Sequence, residues 1–247
     1  MNVANKIAFF NKTNNNMITI HNYGVRVWDI DYTQKKILFQ DLIIGTIRRI
    51  FQCIVISPDD KRAFLGTLTG DIVEINLERR LFVRVGPGKL FSQGINCMSL
   101  LANGDLLVGA GDGTVAKIAI ASASMVVKSK AQLMGGCTSI SLTADSTHFF
   151  AGSSKATIYW CNSDTISPEL RNTCHYARIN DVSFPAGYSE LFATCSINDI
   201  RVWNANTRQE LLRIEVPGLE CFSVKFMSNG RSILSGWSDG KIRAFAP

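Results

Sequence analysis

The stretch YGVRVWDID, residues 23–31, begins a pattern that recurs along the chain. The later copies are TGDIVEINL from residue 69, DGTVAKIAI from 112, KATIYWCNS from 155, NDIRVWNAN from 198 and DGKIRAFAP from 239. When the copies are aligned on Val25 and the equivalent Val or Ile, neighbouring copies lie 47, 43, 43, 42 and 42 residues apart. Self-similarity at a fixed period of this length indicates a repeat architecture.

Each repeat unit also has the same internal order of strands and turns. In the second unit an apolar run ends in the polar turn of IVISPDD (54–60), RAFLG (62–66) follows, and LFVRVGPG (81–88) comes after the repeated stretch. Asn, Asp and Gly in the turns supply the left-handed conformations that hairpins need. Apolar runs rich in β-branched residues and broken every few positions indicate strands, and no window has a continuous helical apolar face. The sequence therefore predicts an all-β fold.

The period selects one all-β architecture over another. About four antiparallel strands per repeat of roughly 40–45 residues is the pattern of β-propeller blades, whereas an ordinary β-sandwich has no such equal period. We count six units with inner, second and third strands but only five outer strands, so the last blade is incomplete. A sixth outer strand is expected after Phe245, and we therefore expect the chain to be part of a longer protein.

Composition narrows the function classes. The chain of 247 residues has 26 basic and 20 acidic side chains, a net charge of +6 that suits either an acidic protein partner or simple solubility. Dedicated nucleic-acid-binding proteins concentrate more positive charge. The seven cysteines show no C-x-x-C spacing, which favours reduced thiols in a reducing compartment. No apolar run approaches the ~20 residues that cross a membrane, and the N-terminus does not have the pattern of a secretory signal.

The stretches VRVWDID and IRVWNAN resemble the closing strand of a WD repeat, with Trp28-Asp29 as the one intact dipeptide. The Gly-His pair of that family is missing from every unit. The position of Trp28 and Trp203 is occupied in the other units by Ile75, Ile118, Cys161 and Phe245. In WD repeats a His, a Ser or Thr, an Asp and the Trp form a hydrogen-bonded network. Most units here are expected to rely on apolar packing instead.

The stretches ELFATCSINDIRVWNANTRQELLRIEVP, GRSILSGWSDGKIRAFAP and GDLLVGAGDGTV are similar to a cilia- and flagella-associated WD-repeat family of axonemes. In that family two seven-bladed propellers in tandem contact tubulin and other luminal proteins inside doublet microtubules. The resemblance implies that residues 1–175 are four blades finishing one propeller and that residues 176–247 are two blades beginning the next. The changeover is expected near residues 167–177.

The same resemblance implies a non-catalytic structural scaffold of the ciliary or flagellar axoneme, located in the cytoplasm and cytoskeleton, with tubulin and other axonemal proteins as partners. The alternative is a soluble cytosolic WD-repeat adaptor that recruits a peptide or substrate to a multiprotein complex. The sequence alone does not separate these two functions. The resemblance favours the scaffold.

Sequence motifs for catalysis or cofactor binding are weak. The stretch VGAGDGTV, residues 108–115, has Thr114 where a dinucleotide-binding loop needs glycine, so a hairpin turn is expected. The histidines His21, His148 and His175 fall in different units without an acidic residue or cysteine at ligand spacing, and ordinary strand or surface roles are expected. We predict that the protein has no enzymatic activity and needs no cofactor or metal. We also predict that it binds no nucleic acid, membrane or small-molecule substrate.

Two further groups of side chains are candidates for a role. Cys53 and Cys97 occupy equivalent positions on neighbouring inner strands and could face each other near the central channel, although simple packing of two small residues is the more ordinary interpretation. Arg48, Arg49, Arg79 and Arg80 lie at connections between strands in a stretch with excess positive charge. They are the predicted partner surface for an acidic protein, and the alternative is a solvated rim.

Overall fold

The computed structural model describes residues 4–88, 90–122, 124–227 and 230–246. Within these ranges there is no helix, and the strands form antiparallel sheets that follow one another in chain order. The all-β prediction is therefore confirmed, and so are the repeated four-stranded units.

The first four sheets each contain four consecutive strands, and we call them blades 1 to 4. Blade 1 consists of β1 (Ala4–Phe9), β2 (Asn16–His21), β3 (Gly24–Asp31) and β4 (Lys36–Asp41). Blade 2 consists of β5 (Phe51–Ile56), β6 (Arg62–Thr67), β7 (Ile72–Asn76) and β8 (Leu81–Gly86). Blade 3 consists of β9 (Ile95–Leu100), β10 (Leu106–Ala110), β11 (Thr114–Ile120) and β12 (Met125–Gln132). Blade 4 consists of β13 (Cys137–Leu142), β14 (His148–Ser153), β15 (Thr157–Asn162) and β16 (Pro168–Thr173).

The last sheet joins two repeat units through one long strand. Its strands are β17 (Asp181–Ser183), β18 (Leu191–Cys195), β19 (Ile197–Asn204), β20 (Glu210–Phe226), β21 (Ile233–Trp237) and β22 (Ile242–Phe245). The first part of β20 pairs with β19 as the outer strand of blade 5, and its last part pairs with β21 as the inner strand of blade 6. Two separate strands were expected here. They are continuous because pairing with β19 runs to Glu220 and pairing with β21 starts at Cys221.

Apolar packing between neighbouring sheets explains the long apolar runs of the sequence. One core cluster joins side chains of blades 1 and 2, such as Ile18, Val25 and Val73, and similar clusters join blades 2 and 3, 3 and 4, and 5 and 6. The central strand β10 is buried at every residue, whereas the outer strand β4 is exposed at every residue. A strand packed on both faces gains burial from every side chain, so it has no polar alternation.

The chain forms two compact units, Met1–Arg171 and Asn172–Pro247. The first contains blades 1 to 4 up to Arg171 in β16, and the second contains blades 5 and 6. In the described residues blade 6 has three strands, as the count of outer strands predicted. The assignment of residues 1–175 and 176–247 to two separate propellers stays a prediction.

Candidate interaction surface and its supporting side-chain network

A buried network of four side chains connects the strands of blade 5. His175 precedes β17, Thr194 lies near the end of β18, and Asp199 and Trp203 lie on β19. His175 Nδ1 is 2.6 Å from Asp199 Oδ1, and His175 Nε2 is 2.6 Å from Thr194 Oγ1. Trp203 Nε1 donates to the same Thr194 Oγ1 over 2.7 Å. These four residues form the hydrogen-bonded set that is typical of WD repeats.

The acceptor at Asp199 places a hydrogen on one nitrogen of the histidine. A carboxylate can only accept, so His175 Nδ1 has the hydrogen and donates it to Asp199. An indole N–H can only donate, so Thr194 Oγ1 accepts from Trp203 as well as contacting His175 Nε2. Each group is thereby satisfied by another, as buried polar groups require.

Asp199 also binds a buried arginine. Arg201 is 2% exposed; its Nε donates to Asp199 Oδ2 over 2.7 Å, and its Nη1 donates to Glu210 Oε2 over 2.8 Å. Burial opposes ionisation of Asp199, but the hydrogen bonds from His175 and Arg201 outweigh burial and lower the pKa of its carboxyl. The ionised carboxylate is therefore the structural form, and it anchors both the imidazole and the guanidinium.

The expectation of an ordinary strand or surface role for His175 was wrong. Its side chain is 3% exposed, and its acidic partner lies 24 residues further along the chain. The Gly-His pair is missing because Cys174 stands where glycine was sought. The sequence did contain one signal for this network. Asp71 and Asp112 lie in the turns of earlier units that correspond to the turn of Asp199. A repeated aspartate at this turn predicts a partner side chain before the inner strand of the same unit, which in blade 5 is His175.

In other units the network is incomplete, as predicted. Blade 1 retains one half of it, since Trp28 Nε1 donates to Thr19 Oγ1 over 2.8 Å. In blade 2 Arg49 lies two residues before the inner strand, and its Nε donates to Asp71 Oδ2 over 3.0 Å. In blade 3 the corresponding contact joins Ser92 Oγ to Asp112 Oδ2 over 2.7 Å. Arginine and serine thus take the place of histidine as the partner of the turn aspartate.

The four arginines of the predicted partner surface are divided into two kinds. Arg49 and Arg80 are held within the chain: Arg49 by Asp71, and Arg80 by Asp29 at 3.2 Å and Gln40 at 2.5 Å. Both hold neighbouring segments together, Arg49 within blade 2 and Arg80 between blades 1 and 2.

Arg48 and Arg79 are different, because they are exposed and their side chains have no hydrogen bond or ion pair within the described part of the chain. Arg48 precedes β5, whereas Arg79 lies in the turn between β7 and β8, so the two project from opposite ends of the blade 2 sheet. Lys89, which belongs to the same basic stretch, lies outside the described residues. The role of all four arginines in partner binding stays a prediction.

The cysteines of the inner strands meet in a staggered arrangement. Cys97 Sγ lies 3.7 Å from Cys137 Sγ, whereas Cys53 Sγ contacts the carbonyl oxygen of Ile95 at 3.5 Å. Cys53 and Cys97 are equivalent, since each pairs with the glycine of its neighbouring strand. Each cysteine contacts a residue of the next inner strand. That residue lies two positions before the one equivalent to the cysteine, because adjacent inner strands are staggered. This stagger is why Cys97 meets Cys137 rather than Cys53.

The remaining candidate motifs have structural explanations. Residues 108–115 form the end of β10, a turn and the start of β11, with the backbone N–H of Thr114 bonded to Asp112, so the hairpin expectation is confirmed. His148 lies on β14 and its ring stacks on Trp160 with centroids 4.9 Å apart. Among the described residues no group of three or more His, Cys, Asp or Glu side chains is placed to hold a metal ion. The same part of the chain contains no helix that could span a bilayer.

The lowered pKa of Asp199 predicts an acid-dependent loss of stability. A carboxyl whose folded pKa lies below its unfolded value stabilises the fold above the unfolded pKa, and this contribution disappears as pH falls through the folded pKa. We expect the stability difference between wild type and Asp199→Asn, measured by urea denaturation, to be constant above about pH 5 and to shrink as pH falls below about 4. A difference that stays the same down to pH 2 would contradict this prediction.

No protein-family model matches the chain. The chain is 41% identical over 250 aligned residues to cilia- and flagella-associated protein 52 of Chlamydomonas reinhardtii, 42% to that of Bos taurus and 40% to that of Homo sapiens. Each alignment covers 100% of this chain and 40% of the relative, so the chain spans about two-fifths of the length of these relatives.

A structural comparison supports the fold independently. A chain in the crystal structure of a mitotic checkpoint complex superposes with a TM-score of 0.59, covering 99% of this chain and 73% of that one at 17% identity. At that identity the similarity concerns the fold alone. The chain folds into β-propeller blades like those of WD-repeat proteins and is similar over its whole length to part of cilia- and flagella-associated protein 52.

Proposed function

We propose that this chain is part of a non-catalytic structural scaffold of the ciliary or flagellar axoneme, which braces doublet microtubules from within by contacting tubulin and other luminal proteins. The observation that carries the proposal is the similarity of the whole of this chain to part of relatives from an alga and from mammals that are all named for association with cilia and flagella. That shared name assigns the chain to the cilium or flagellum.

The architecture is suited to bracing. Within the first unit, blades 1 to 3 are joined by apolar cores, so the loops at both ends of these sheets are held at fixed separations. A rigid body with several loop surfaces can bind different partners at once, and modest contacts then combine through a high effective concentration. Arg48 and Arg79 place positive charges at opposite ends of blade 2. An acidic lattice such as tubulin can therefore be contacted at both ends of this sheet.

The buried polar chemistry of the chain supports a non-catalytic role. The imidazole, carboxylate and guanidinium groups that meet in blade 5 are bonded to one another and to Thr194 and Glu210. A catalytic base or nucleophile needs a position open to a reacting atom, and mutually saturated groups do not provide one. We therefore assign this network to rigidity of the blade.

Extraction of isolated axonemes tests the scaffold role. The full-length gene product is tagged in ciliated cells, and axonemes are washed with detergent and then with salt of increasing concentration. A brace inside the doublet is expected to stay with the microtubules until the doublets themselves dissolve. Release of most of the tagged protein with the soluble fraction would overturn the proposal and favour the cytosolic adaptor.

The same assay tests the two exposed arginines. We expect Arg48→Glu with Arg79→Glu to lower the salt concentration at which the protein is released, because two cations facing an acidic partner become anions. Lys130→Glu with Lys155→Glu is the matched control, since both lysines are exposed and the charge change is identical. Equal release of the two variants would exclude a special role of Arg48 and Arg79, and melting curves would verify that both variants are folded.

A further inference from the structure

Cys97 and Cys137 form a pair of thiols at the wall of an open cavity. They lie on the inner strands of blades 3 and 4, with their sulfur atoms 3.7 Å apart. The cavity has a volume of about 270 Å³ and is lined by the inner strands of blades 1 to 4, including Lys6, Cys53, Cys97 and Ser139. Cys137 is fully buried, whereas Cys97 is a partly exposed residue. Cys97 is thus the member of the pair that lines the cavity.

The surrounding backbone leaves space for both sulfurs and holds the two strands together. A Cβ atom on Gly109 would lie 2.6 Å from Cys97 Sγ and 2.5 Å from Cys137 Sγ, so the absent side chain provides the room in which the sulfurs meet. Asn96, the neighbour of Cys97, donates from Nδ2 to the carbonyl oxygen of Cys137 over 2.9 Å. The pair is therefore held in register by a hydrogen bond between the two blades.

We propose that Cys97 and Cys137 are a redox modification site, at which hydrogen peroxide converts the two thiols into a reversible disulfide between blades 3 and 4. The sulfurs need to approach by only ~1.6 Å to reach the length of a disulfide bond. This proposal is independent of the scaffold function, because it rests only on the two cysteines and the residues around them.

The hydrogen bond between the thiols decides how the reaction starts. The hydrogen bond with Cys137 and burial raise the pKa of Cys97, whereas the bond from Cys97 lowers the pKa of Cys137. Once the first proton is lost the two sulfurs share the remaining one, and the fraction of the pair in which that proton sits on Cys137 presents the Cys97 thiolate to the cavity. The thiolate is the form that reacts with oxidants.

The two bond-forming steps balance with one molecule of peroxide. Cys97 Sγ attacks a peroxide oxygen, the O–O bond breaks, and the departing hydroxide takes up the proton lost earlier to give water and a sulfenic acid. Cys137 Sγ then attacks Cys97 Sγ, the S–O bond breaks, and that hydroxide takes the Cys137 proton as a second water. Two thiols lose two electrons in total, and hydrogen peroxide gains them.

The test measures thiols after treatment with hydrogen peroxide. The full chain is used in a Cys174→Ser background, which removes the exposed cysteine that could link two molecules and leaves six thiols. We expect the thiol count after unfolding to fall from six to four, the mass to fall by ~2 Da, and a digest without reductant to contain the Cys97–Cys137 cross-link. The melting temperature should rise by ~5 °C and return after dithiothreitol, because the cross-link restricts the unfolded chain.

Variants separate this pair from the other cysteines. Cys97→Ser should abolish the loss of thiols, and Cys137→Ser should leave a sulfenic acid on Cys97 that a dimedone probe traps. Cys195→Ser with Cys221→Ser is the control, because those two cysteines are fully buried in the second unit and their loss should not change the response. Circular dichroism verifies that each variant is folded. Retention of all six thiols, loss of thiols that persists in Cys97→Ser, or accumulation of sulfinic acid on Cys97 in the parent would each overturn the proposal.

Discussion

Replacing Asp199 by alanine is expected to lower the free energy of unfolding by about 3–4 kcal/mol, because it removes one of two anions that hold a buried arginine. Arg201 would keep only Glu210 as its partner, and the Nδ1–H of His175 would lose its acceptor. An unsatisfied buried donor adds its own penalty to the unpaired charge. The loss should be concentrated in blade 5.

Urea denaturation followed by tryptophan fluorescence measures this effect, since Trp203 belongs to the same network. Asp239→Ala is the matched control. Asp239 lies in the corresponding turn of blade 6, but its partner Arg243 is solvent-accessible, so little change is expected. If the two alanine variants unfolded at the same urea concentration, the network would not have the structural role that we assign to it.

Replacing Gly70 by alanine is expected to destabilise the first unit by roughly 2–5 kcal/mol, from backbone strain together with a steric clash. Gly70 lies in the turn between β6 and β7 with φ of +81°, a conformation that glycine adopts without strain. A Cβ atom there would lie 1.7 Å from the carbonyl oxygen of Phe91. Because that atom belongs to the backbone, the turn and the segment before blade 3 would have to move apart.

Gly104→Ala separates the two causes. Gly104 has a similar φ of +85°, but a Cβ atom there would have no neighbour within 4 Å. Its alanine variant should therefore lose only about 1 kcal/mol, which is the cost of the left-handed conformation alone. Thermal melting of the two variants under identical conditions makes the comparison. A Gly70→Ala variant as stable as Gly104→Ala would mean that the contact with Phe91 relaxes without cost.

The repeat was readable from sequence because its signals are local. A strand of five to seven residues and the turn that follows it leave their pattern within one short window, as in the turn of residues 108–115. The continuity of β20 was not readable, because the sequence between Glu215 and Cys221 contains Pro217 and Gly218, which normally interrupt a strand. Pairing with two different neighbours continues the strand past those residues, which form an irregularity in the pairing with β19 where Gly218 has a φ of +79°.

The candidate surface was only half predictable for a similar reason. The sequence showed Arg48 and Arg49 side by side, and Arg79 and Arg80 likewise, and nothing in the local pattern distinguishes the members of each pair. In the structure Asp71 binds Arg49, and Asp29 and Gln40 bind Arg80, so one arginine of each pair is used internally and the other is left exposed. Which member is available to a partner depends on residues that are distant in sequence.

By itself, the sequence determined the number of units, their strands and their all-β class, since alternation of apolar runs and turn residues acts over a few residues. Only the tertiary structure decided that His175 reaches Asp199 and that Cys97 meets Cys137 rather than Cys53. These contacts depend on where the chain returns after one or more strands and on the stagger between neighbouring blades. Both are set by packing across sheets, which leaves no periodic trace in a single sequence.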